Sequence, residues 1–209
     1  MKEVAKFVLA IAAILGIVAG ILRATKVDEI VVHDDRMAPS ILAGERVLLW
    51  RGSDIDKGDI VVCPNPTRPT EYVMGRVIAL TGAEVSSDRR GLLVDGRPLD
   101  RNSKGEARFP DQLAQGPIAV RWGTRVSYSE EHLFMLRTNY VYAIRPTRVA
   151  AGKAYLFADY ESAPGVDSRS YGQVDVATCI GEVFMRLAPS ETNTLTEEPF
   201  DHGYLDIID

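Results

Sequence analysis

An unbroken apolar run near the N-terminus, residues 7–22, constrains this chain more than any other feature. Lys2 and Lys6 precede the run, and Arg23 and Lys26 follow it. A helix crosses a bilayer with roughly 17–25 residues, and basic side chains at both ends reach the interface and so extend a slightly short run. We therefore expect one N-terminal transmembrane helix, with the rest of the chain on one side of the membrane.

A cleaved signal peptide is the alternative interpretation of this run. Its apolar region would span about 7–15 residues and would end at a small-x-small cleavage site. The run in this chain is longer and continues into the sequence LRATK. An uncleaved anchor over residues 1–26 is therefore the better prediction, although basic residues on both flanks leave its orientation undecided.

The chain from residue 27 onward shows short apolar runs bounded by Gly, Pro or Asp, a pattern typical of β-strands. The clearest runs are residues 30–32, 46–50, 60–63, 72–80, 91–99, 126–128, 133–137, 140–145, 154–158 and 179–187. Asp95 and Gly96, inside one of these runs, supply the two positive-φ residues of a type I′ hairpin turn. No helical period of useful length is present in this part, so the sequence predicts a mainly β fold.

The net charge of −5 has its origin at the C-terminal end of the chain. No Lys or Arg follows Arg186, whereas six acidic residues do. They are Glu191, Glu197, Glu198, Asp201, Asp206 and Asp209. The rest of the chain is near neutral and shows no basic stripe, so nucleic acid is not an expected partner. We expect residues 189–209 to form an acidic, flexible tail.

The two cysteines, Cys63 and Cys179, are far apart and match no zinc-binding spacing. Free cysteine is among the most buried residue types, which favours two buried thiols. A disulfide is the alternative, because a domain outside the cytosol permits one. His33, His132 and His202 also lack the spacing of a metal site, so we expect no metal and no cofactor.

Several segments occur in an order that is typical of one family. They are RMAPSILAGERV (36–47), KGDIVV (57–62), YVMGRVIALTG (72–82), VDGRPL (94–99), FAD (157–159), DSRSYGQV (167–174) and IG (180–181). With the apolar run before them, they resemble the bacterial signal peptidase I family, the membrane-bound serine proteases that release secretory proteins from their signal peptides. The resemblance spans residues 7–187 and implies a signal peptidase I-like (LexA/S26-type) β-fold.

This resemblance also implies a domain organisation and a location. The core is expected to comprise residues 27–82 and 154–188, with a smaller β subdomain inserted over residues 83–153. The anchor over residues 1–26 and the tail over residues 189–209 complete the chain. The protein is expected at the cell membrane as a single-pass protein, with its β domain on the extracytoplasmic (periplasmic or outer) face.

The family's chemistry requires groups that this chain lacks. A serine attacks the scissile carbonyl, a desolvated lysine takes its proton, and an N–H and a hydroxyl hold the oxyanion. The nucleophile position is Arg36, whose guanidinium is not nucleophilic and stays charged. The base position is Gly75, which has no side chain, and the hydroxyl position is Asp34, whose carboxylate repels an oxyanion. The resemblance therefore predicts that these positions are degenerate and that no catalytic residue remains.

Other residues are assigned by the resemblance to binding and to structure. The expected peptide-binding cleft comprises Asp35, Met37, Pro39, Val73 and Met74. Asp159, Asp167 and Arg169 are expected to form a structural charged cluster at the cleft floor. Tyr160 stands where the family has asparagine and is expected to fill space near the former active centre.

The nucleophile segment contains one remaining hydroxyl, Ser40, at a position where the family has a threonine that faces structure. A capping role is the favoured interpretation of Ser40. The alternative is a relocated pair formed by Ser40 and His33. Lys57 is expected to be solvated. Arg36 is expected to pair with a nearby carboxylate, which is Asp34, Asp35 or Glu161.

The sequence thus predicts a catalytically inactive pseudopeptidase. It is expected to bind extended peptide segments or to assist secretion and assembly of envelope proteins, such as pilus-like clients. One alternative is an active signal peptide-cleaving endopeptidase with a relocated catalytic group. Another is a membrane-tethered interaction module that recruits partners through its acidic tail. The sequence identifies neither the client nor the oligomeric state.

Overall fold

The computed structural model describes residues 2–88, 91–98, 101–111, 119–128, 132–137, 143–160, 165–191 and 202–208. The chain begins with a long helix, α1 (Lys2–Thr25), which contains the whole apolar run. Alanine, leucine and isoleucine without proline allow this segment to form an uninterrupted helix. Among the described residues, no helix combines the length and the hydropathy that crossing a membrane requires.

The rest of the described chain consists mostly of strands. In chain order they are β1 (Val27–Val31), β2 (Arg46–Trp50), β3 (Ile60–Asn65), β4 (Arg68–Leu80), β5 (Glu84–Asp88), β6 (Gly91–Val94), β7 (Arg97–Pro98), β8 (Arg101–Asp111), β9 (Ala119–Tyr128), β10 (His132–Arg137), β11 (Thr147–Arg148), β12 (Lys153–Phe157), β13 (Val174–Asp175), β14 (Gly181–Ala188) and β15 (Asp206–Ile207). A short helix, α2 (Ser168–Tyr171), and a 3₁₀ turn, Val176–Thr178, precede β14. The predicted mainly β fold is confirmed.

The largest sheet has the order β1-β2-β14-β3-β4-β12-β13, and β15 pairs with β14. Its neighbouring strands are antiparallel. The late strand β14 lies between β2 and β3, with Val183 opposite Leu49 and Gly181 opposite Val62. Three strands separate β1 from β4 in this order, but the β1–β2 loop contacts both β4 and the residues after β12, because Ser40 bonds with Arg76 and Asp159.

Two smaller sheets come from the middle of the chain, with the orders β11-β5-β6-β7 and β10-β9-β8. Asp95 and Gly96 join β6 to β7 with φ values of 51° and 70°, so the predicted type I′ turn is confirmed. Residues 143–146 form no strand, so the strand predicted for residues 140–145 is wrong in its described part. Residues 140–142 lie outside the described residues.

Three clusters of buried side chains hold the sheets together. Cluster A contains Val32, Met37, Ile41, Val47, Leu49, Ile60, Val62 and Val183. Cluster B contains Val61, Cys63, Val73, Val77, Ala154, Leu156, Tyr171 and Val174. Cluster C contains Ile78, Ala79, Val85, Leu92, Ile144, Val149, Tyr155 and Phe157. Successive residues of β3 enter clusters A and B in turn, because side chains alternate between the two faces of a strand.

Cys63 and Cys179 form a disulfide, so the favoured interpretation of two buried thiols is wrong. Their separation of 116 residues along the chain hid the contact, and burial alone does not distinguish a thiol from a disulfide. The bond joins β3 to the residue that follows the 3₁₀ turn. Such a cross-link typically contributes ~2–4 kcal/mol, chiefly by restricting the unfolded chain.

The described part of the C-terminal segment, residues 202–208, packs against the largest sheet. β15 pairs with β14, with Asp206 opposite Arg186, and the N–H of Ile208 donates to Phe184 at 3.2 Å. Ile208 packs against cluster A. The expectation of a flexible tail is therefore wrong for residues 202–208, because pairing with β14 and apolar contact outweigh the acidic composition.

Candidate functional site

The loop between β1 and β2 carries Asp34 and Arg36, the residues that the sequence predicts at the oxyanion and nucleophile positions. Two main-chain hydrogen bonds close the base of this loop. The N–H of Val32 donates to Glu45 at 2.9 Å, and that of Gly44 donates to Val32 at 2.7 Å. Three apolar side chains of the loop, Val32, Met37 and Ile41, belong to cluster A, so the loop is held at its base and along its inner side.

Arg36 is bound to Asp34. Its Nε lies 2.7 Å from Oδ1 and 2.9 Å from Oδ2 of that carboxylate, and its Nη2 lies 2.5 Å from Oδ2. Burial disfavours the charged guanidinium, but the hydrogen bond and charge of Asp34 outweigh it and raise the pKa of Arg36. The expected pairing of Arg36 is confirmed with Asp34 as the partner, whereas Glu161 lies outside the described residues.

Gly75, which the sequence predicts at the base position, lies buried in β4 against β12. A Cβ atom at Gly75 would lie 3.0 Å from the Cβ of Leu156 and 3.4 Å from the carbonyl oxygen of Phe157. Any side chain there would require β12 to shift by a few tenths of an ångström. The base position therefore lacks an amine and has little room for one.

Arg76, the residue after Gly75, forms a buried ion pair with Asp159. Its Nε lies 2.8 Å from Oδ1 and its Nη2 lies 2.7 Å from Oδ2 of Asp159, while Nη1 donates to the carbonyl of Gly58 at 2.7 Å. The two charged side chains are 1% and 0% exposed. A pair this deeply buried is tolerated only when its remaining donors are also bonded, which the bond to Gly58 contributes. Arg76 thus fixes the end of β12 to β4.

Ser40 belongs to the same buried network. Its hydroxyl donates to Oδ2 of Asp159 and accepts from Nη2 of Arg76 at 3.1 Å. His33 is exposed, and no hydrogen bond joins it to Ser40 among the described residues. The structure therefore gives Ser40 a bonding role between the loop and the floor of the site.

Asp35 is only partly bonded. Its Oδ1 accepts from the N–H of Ala43 at 2.7 Å, which ties the two ends of the loop together. Its Oδ2 is buried and has no hydrogen-bond partner among the described residues. Burial, with the nearby charges of Asp34 and Glu45, raises the pKa of Asp35 despite the bond from Ala43. This carboxyl group therefore takes up a proton more readily than an ordinary aspartate.

The expected cluster of Asp159, Asp167 and Arg169 is found in two parts. Arg169 pairs with Asp167 through Nε at 2.8 Å and Nη2 at 2.6 Å, and its guanidinium lies 4.2 Å from the ring centroid of Phe157. Asp167 also accepts from the N–H of Ala158 at 3.2 Å. Asp159 pairs instead with Arg76, a partner that the sequence reasoning missed.

A second buried ion cluster was also missed. Glu45 is 0% exposed and accepts from Nε of Arg186 at 3.0 Å and from the N–H of Leu42 at 3.0 Å. Nδ1 of His202 lies 2.6 Å from the other oxygen of Glu45, and Arg186 also reaches Asp206 at 2.5 Å. The C-terminal segment therefore supports the β1–β2 loop. His202 has a structural role at this cluster, while the side chain of His132 lies outside the described residues.

The residues expected to line a peptide cleft differ in exposure. Met37 is fully buried in cluster A, Val73 is 4% exposed in cluster B, and Pro39 is buried. These three side chains offer almost no surface to a bound peptide, and Met37 and Val73 instead fill clusters A and B. Met74 and Asp35 are partly exposed.

Two open strand edges lead towards Arg36. Among the described residues β1 pairs only with β2, which leaves its outer edge free. Between Arg68 and Gly75, β4 pairs only with β3, because its pairing with β12 begins at Arg76. The loop after β1 reaches β4 through the Ser40–Arg76 contact and reaches the residues after β12 through a main-chain bond from Tyr160 to Arg36 at 2.9 Å.

Sequence comparison identifies the family to which this chain belongs. The sequence model of the family described as "Signal peptidase, peptidase S26" matches residues 2–188. Among solved structures, the crystal structure of a signal peptidase I from Enterococcus faecalis V583 matches with 20% sequence identity and a TM-score of 0.40, over 62% of this chain and 97% of that chain. No curated protein gives a significant match. The family match includes the loop with Arg36, β4, β12 and β14, and the chain belongs to the signal peptidase family, peptidase S26.

Proposed function

We propose that this chain is a catalytically inactive member of its family that binds extended peptide segments. The observation that carries the proposal is the state of the nucleophile position, where Arg36 is bound through two nitrogens to Asp34. Gly75 supplies no base, and Asp34 places negative charge where an oxyanion must be stabilised. All three groups of the family's acyl-transfer chemistry are missing.

The environment of Ser40 argues against relocated catalysis. Its hydroxyl donates to Asp159, and Arg76 bonds both oxygens of that carboxylate. A general base must lie within hydrogen-bond reach of the nucleophile and be free to take its proton. No neutral lysine or histidine among the described residues is bonded to Ser40, so this hydroxyl is better explained as part of the scaffold.

The open edges of β1 and β4 support peptide binding. An extended peptide gains affinity by adding its main-chain hydrogen bonds to a free strand edge, and this gain requires no catalytic side chain. Tyr72, beside the free edge of β4, is 61% exposed and offers apolar contact. Because Met37, Pro39 and Val73 are buried, binding would rest on the backbone, with Met74 and Asp35 at its margin.

The proposed location follows from the N-terminal segment and the disulfide. The apolar residues of α1 fit an anchor at the cell membrane with basic residues at both ends. The bond between Cys63 and Cys179 fits a domain on the extracytoplasmic face, since disulfides persist in oxidising compartments. Clients would then be secreted or envelope proteins, pilus-like subunits included. Within the proposed domain, residues 27–82 and 154–188 would form the core, and residues 83–153 would form the inserted subdomain.

A cleavage assay tests the loss of catalysis. Purified full-length protein in detergent is incubated with a precursor that carries a small-x-small cleavage site, beside an active signal peptidase as the positive control. We expect no cleaved product from this chain. Product formation that disappears in Ser40→Ala, but not in the distant control Ser53→Ala, would refute the proposal and establish a relocated serine nucleophile.

A binding assay tests the second half of the proposal. A short fluorescent peptide of alternating valine and serine is titrated with the full-length protein, and its polarisation is followed. Saturable binding that weakens when Tyr72 is changed to lysine is the expected result, because that charge lies beside the free edge of β4. Saturable binding unaffected by Tyr72→Lys, or no binding at all, would contradict the assignment of this cleft.

A further inference from the structure

We propose that Arg36 receives the C-terminal carboxylate of an extended peptide that lies along the open edge of β1 or β4. This inference rests on the proposed peptide binding and names the class of peptide that the site prefers. The preferred ligand is a chain that ends in a free carboxylate, such as one left by an endopeptidase, rather than an uninterrupted segment.

The first observation is the incomplete use of the Arg36 guanidinium. Nε and Nη2 are bound to Asp34, but Nη1 has no hydrogen-bond partner among the described residues. A guanidinium presents five N–H donors in a planar fork, and this geometry matches a carboxylate. The Arg36 side chain is 23% exposed, so a ligand can reach its unused side.

The second observation is that Asp34 holds the guanidinium in place. The side-chain bonds to Asp34, together with a bond from the N–H of Arg36 to Oδ1 at 3.1 Å, fix the direction of the guanidinium before any ligand arrives. The main-chain carbonyl of Arg36 is fixed as well, by the bond from Tyr160. A donor that is already oriented loses little conformational entropy on binding, which favours affinity.

The third observation is the position of Arg36 relative to the open edges. β1 ends at Val31, and the chain continues from that edge directly into the loop that carries Arg36. The free part of β4 ends at Gly75, next to Arg76, which contacts the same loop. A peptide that pairs in parallel with either edge therefore has its C-terminus at the end nearest the loop that carries Arg36, and this is the orientation that we propose.

The charge balance favours a carboxylate over a neutral peptide group. An internal segment offers Nη1 only a neutral carbonyl oxygen, whereas a terminus offers a carboxylate, which adds attraction between opposite charges to the hydrogen bond. Asp34 offsets part of this attraction with its own negative charge. Asp35 opposes the carboxylate less than an ordinary aspartate, because its raised pKa favours its neutral form.

Paired peptides test the inference on the full-length protein. The probe is the fluorescent valine–serine peptide ending in alanine, made once with a free carboxylate and once with a C-terminal amide. We expect the carboxylate form to bind about tenfold more tightly, the difference typical of one additional charge-assisted bond. Arg36→Gln should reduce that ratio to about one, while Arg46→Gln, which removes an exposed arginine of β2 from its pair with Glu29, should leave it unchanged.

The outcomes separate this inference from the proposed function. Equal binding of both peptides would overturn the carboxylate preference and leave peptide binding intact, whereas failure of both to bind would overturn the two together. Asp34→Asn provides a second variant, because it removes the competing negative charge while Arg36 remains. We expect it to increase the preference for the carboxylate peptide, and a decrease would contradict the inference. Thermal unfolding of each variant confirms that it is folded.

Discussion

Two arginine–aspartate pairs in the candidate site differ in how deeply they are buried. Arg76 and Asp159 are 1% and 0% exposed, and Ser40 and Gly58 bond their remaining atoms. Arg36 and Asp34, joined by the same kind of two-point contact, are 23% and 37% exposed. The two pairs consist of the same residue types in nearly the same geometry. They differ in solvent exposure and in the number of hydrogen bonds that the surrounding residues make with them.

This difference shows how the same residue types serve two purposes. Around Arg76 every identified donor is used inside the protein, which suits a pair that fastens strands together. In Arg36, Nη1 has no hydrogen-bond partner among the described residues, and the side chain is partly exposed. This combination suits a contact with a ligand. Removing one partner should therefore cost much stability at the buried pair and little at the exposed pair.

The largest expected effect is that of Arg76→Met. It leaves the fully buried Asp159 without its counter-charge, which typically costs ~3–5 kcal/mol. Arg36→Met is the matched control, and removing this partly exposed pair should cost less than about 1 kcal/mol. The free energy of unfolding from urea titration measures both. Equal losses in the two variants would show that burial does not distinguish the pairs.

An intermediate effect is expected for Glu45→Gln, which weakens the bonds to Arg186 and His202. Hydrogen bonds to a charged group typically contribute ~1.5–3 kcal/mol, and part of this should be lost at neutral pH. Burial opposes ionisation of Glu45, but its bonds with His202 and Leu42 and the charge of Arg186 lower its pKa overall.

The pH dependence of Glu45 has a definite sign. A carboxylate whose pKa is lowered on folding stabilises the protein above its unfolded pKa of about 4.3, and this contribution is lost as the pH falls through the lower, folded pKa. Urea titrations of wild type and Glu45→Gln as the pH is lowered below about 4 should therefore converge. A constant difference throughout this range would contradict the role of Glu45 as an ionised group.

The smallest effect is expected for Asp35→Asn, and its sign is opposite. Because Oδ2 of Asp35 is buried without a partner, removing the charge should stabilise the protein by on the order of 1 kcal/mol at neutral pH. The pKa of Asp35 is raised, so wild type gains stability as the pH falls through the folded pKa and towards the ordinary value near 4. The advantage of Asp35→Asn should shrink over that interval in the same urea titrations, and an advantage that grows would contradict this account.

The sequence predicts some parts of this structure well because their signals are local. The runs that form β2, β3 and β4 alternate or are wholly apolar, and the turn at Asp95 and Gly96 requires only two neighbouring residues. The hairpin of β8 and β9 was largely missed, because residues 101–111 contain charged residues, glycine and proline without an alternating apolar pattern. The formation of β8 depends on its pairing with β9, which the local sequence of residues 101–111 does not indicate.

In the candidate site, too, the sequence predicts only what depends on local residue identity. The residues predicted at the nucleophile and base positions, Arg36 and Gly75, are readable from the sequence alone. The partner of Asp159 is not, since Arg76 lies 83 residues away and the mostly apolar run around it gives no sign that the arginine is buried in an ion pair. His202 lies 157 residues from Glu45, and its acidic surroundings indicated a free tail. Both contacts join residues that are far apart along the chain, and for this reason the sequence did not indicate them.

Backbone hydrogen exchange with and without the carboxylate-ended peptide tests the central claim most directly. The claim is that this site binds extended peptides without cleaving them, with Arg36 at the end of the bound chain. We expect slower exchange in residues 27–36 or 68–75 when peptide is present, no change in β5 and β6, and an intact peptide recovered by mass spectrometry after the experiment. Recovery of a shortened peptide, or protection confined to segments outside those two, would contradict the account.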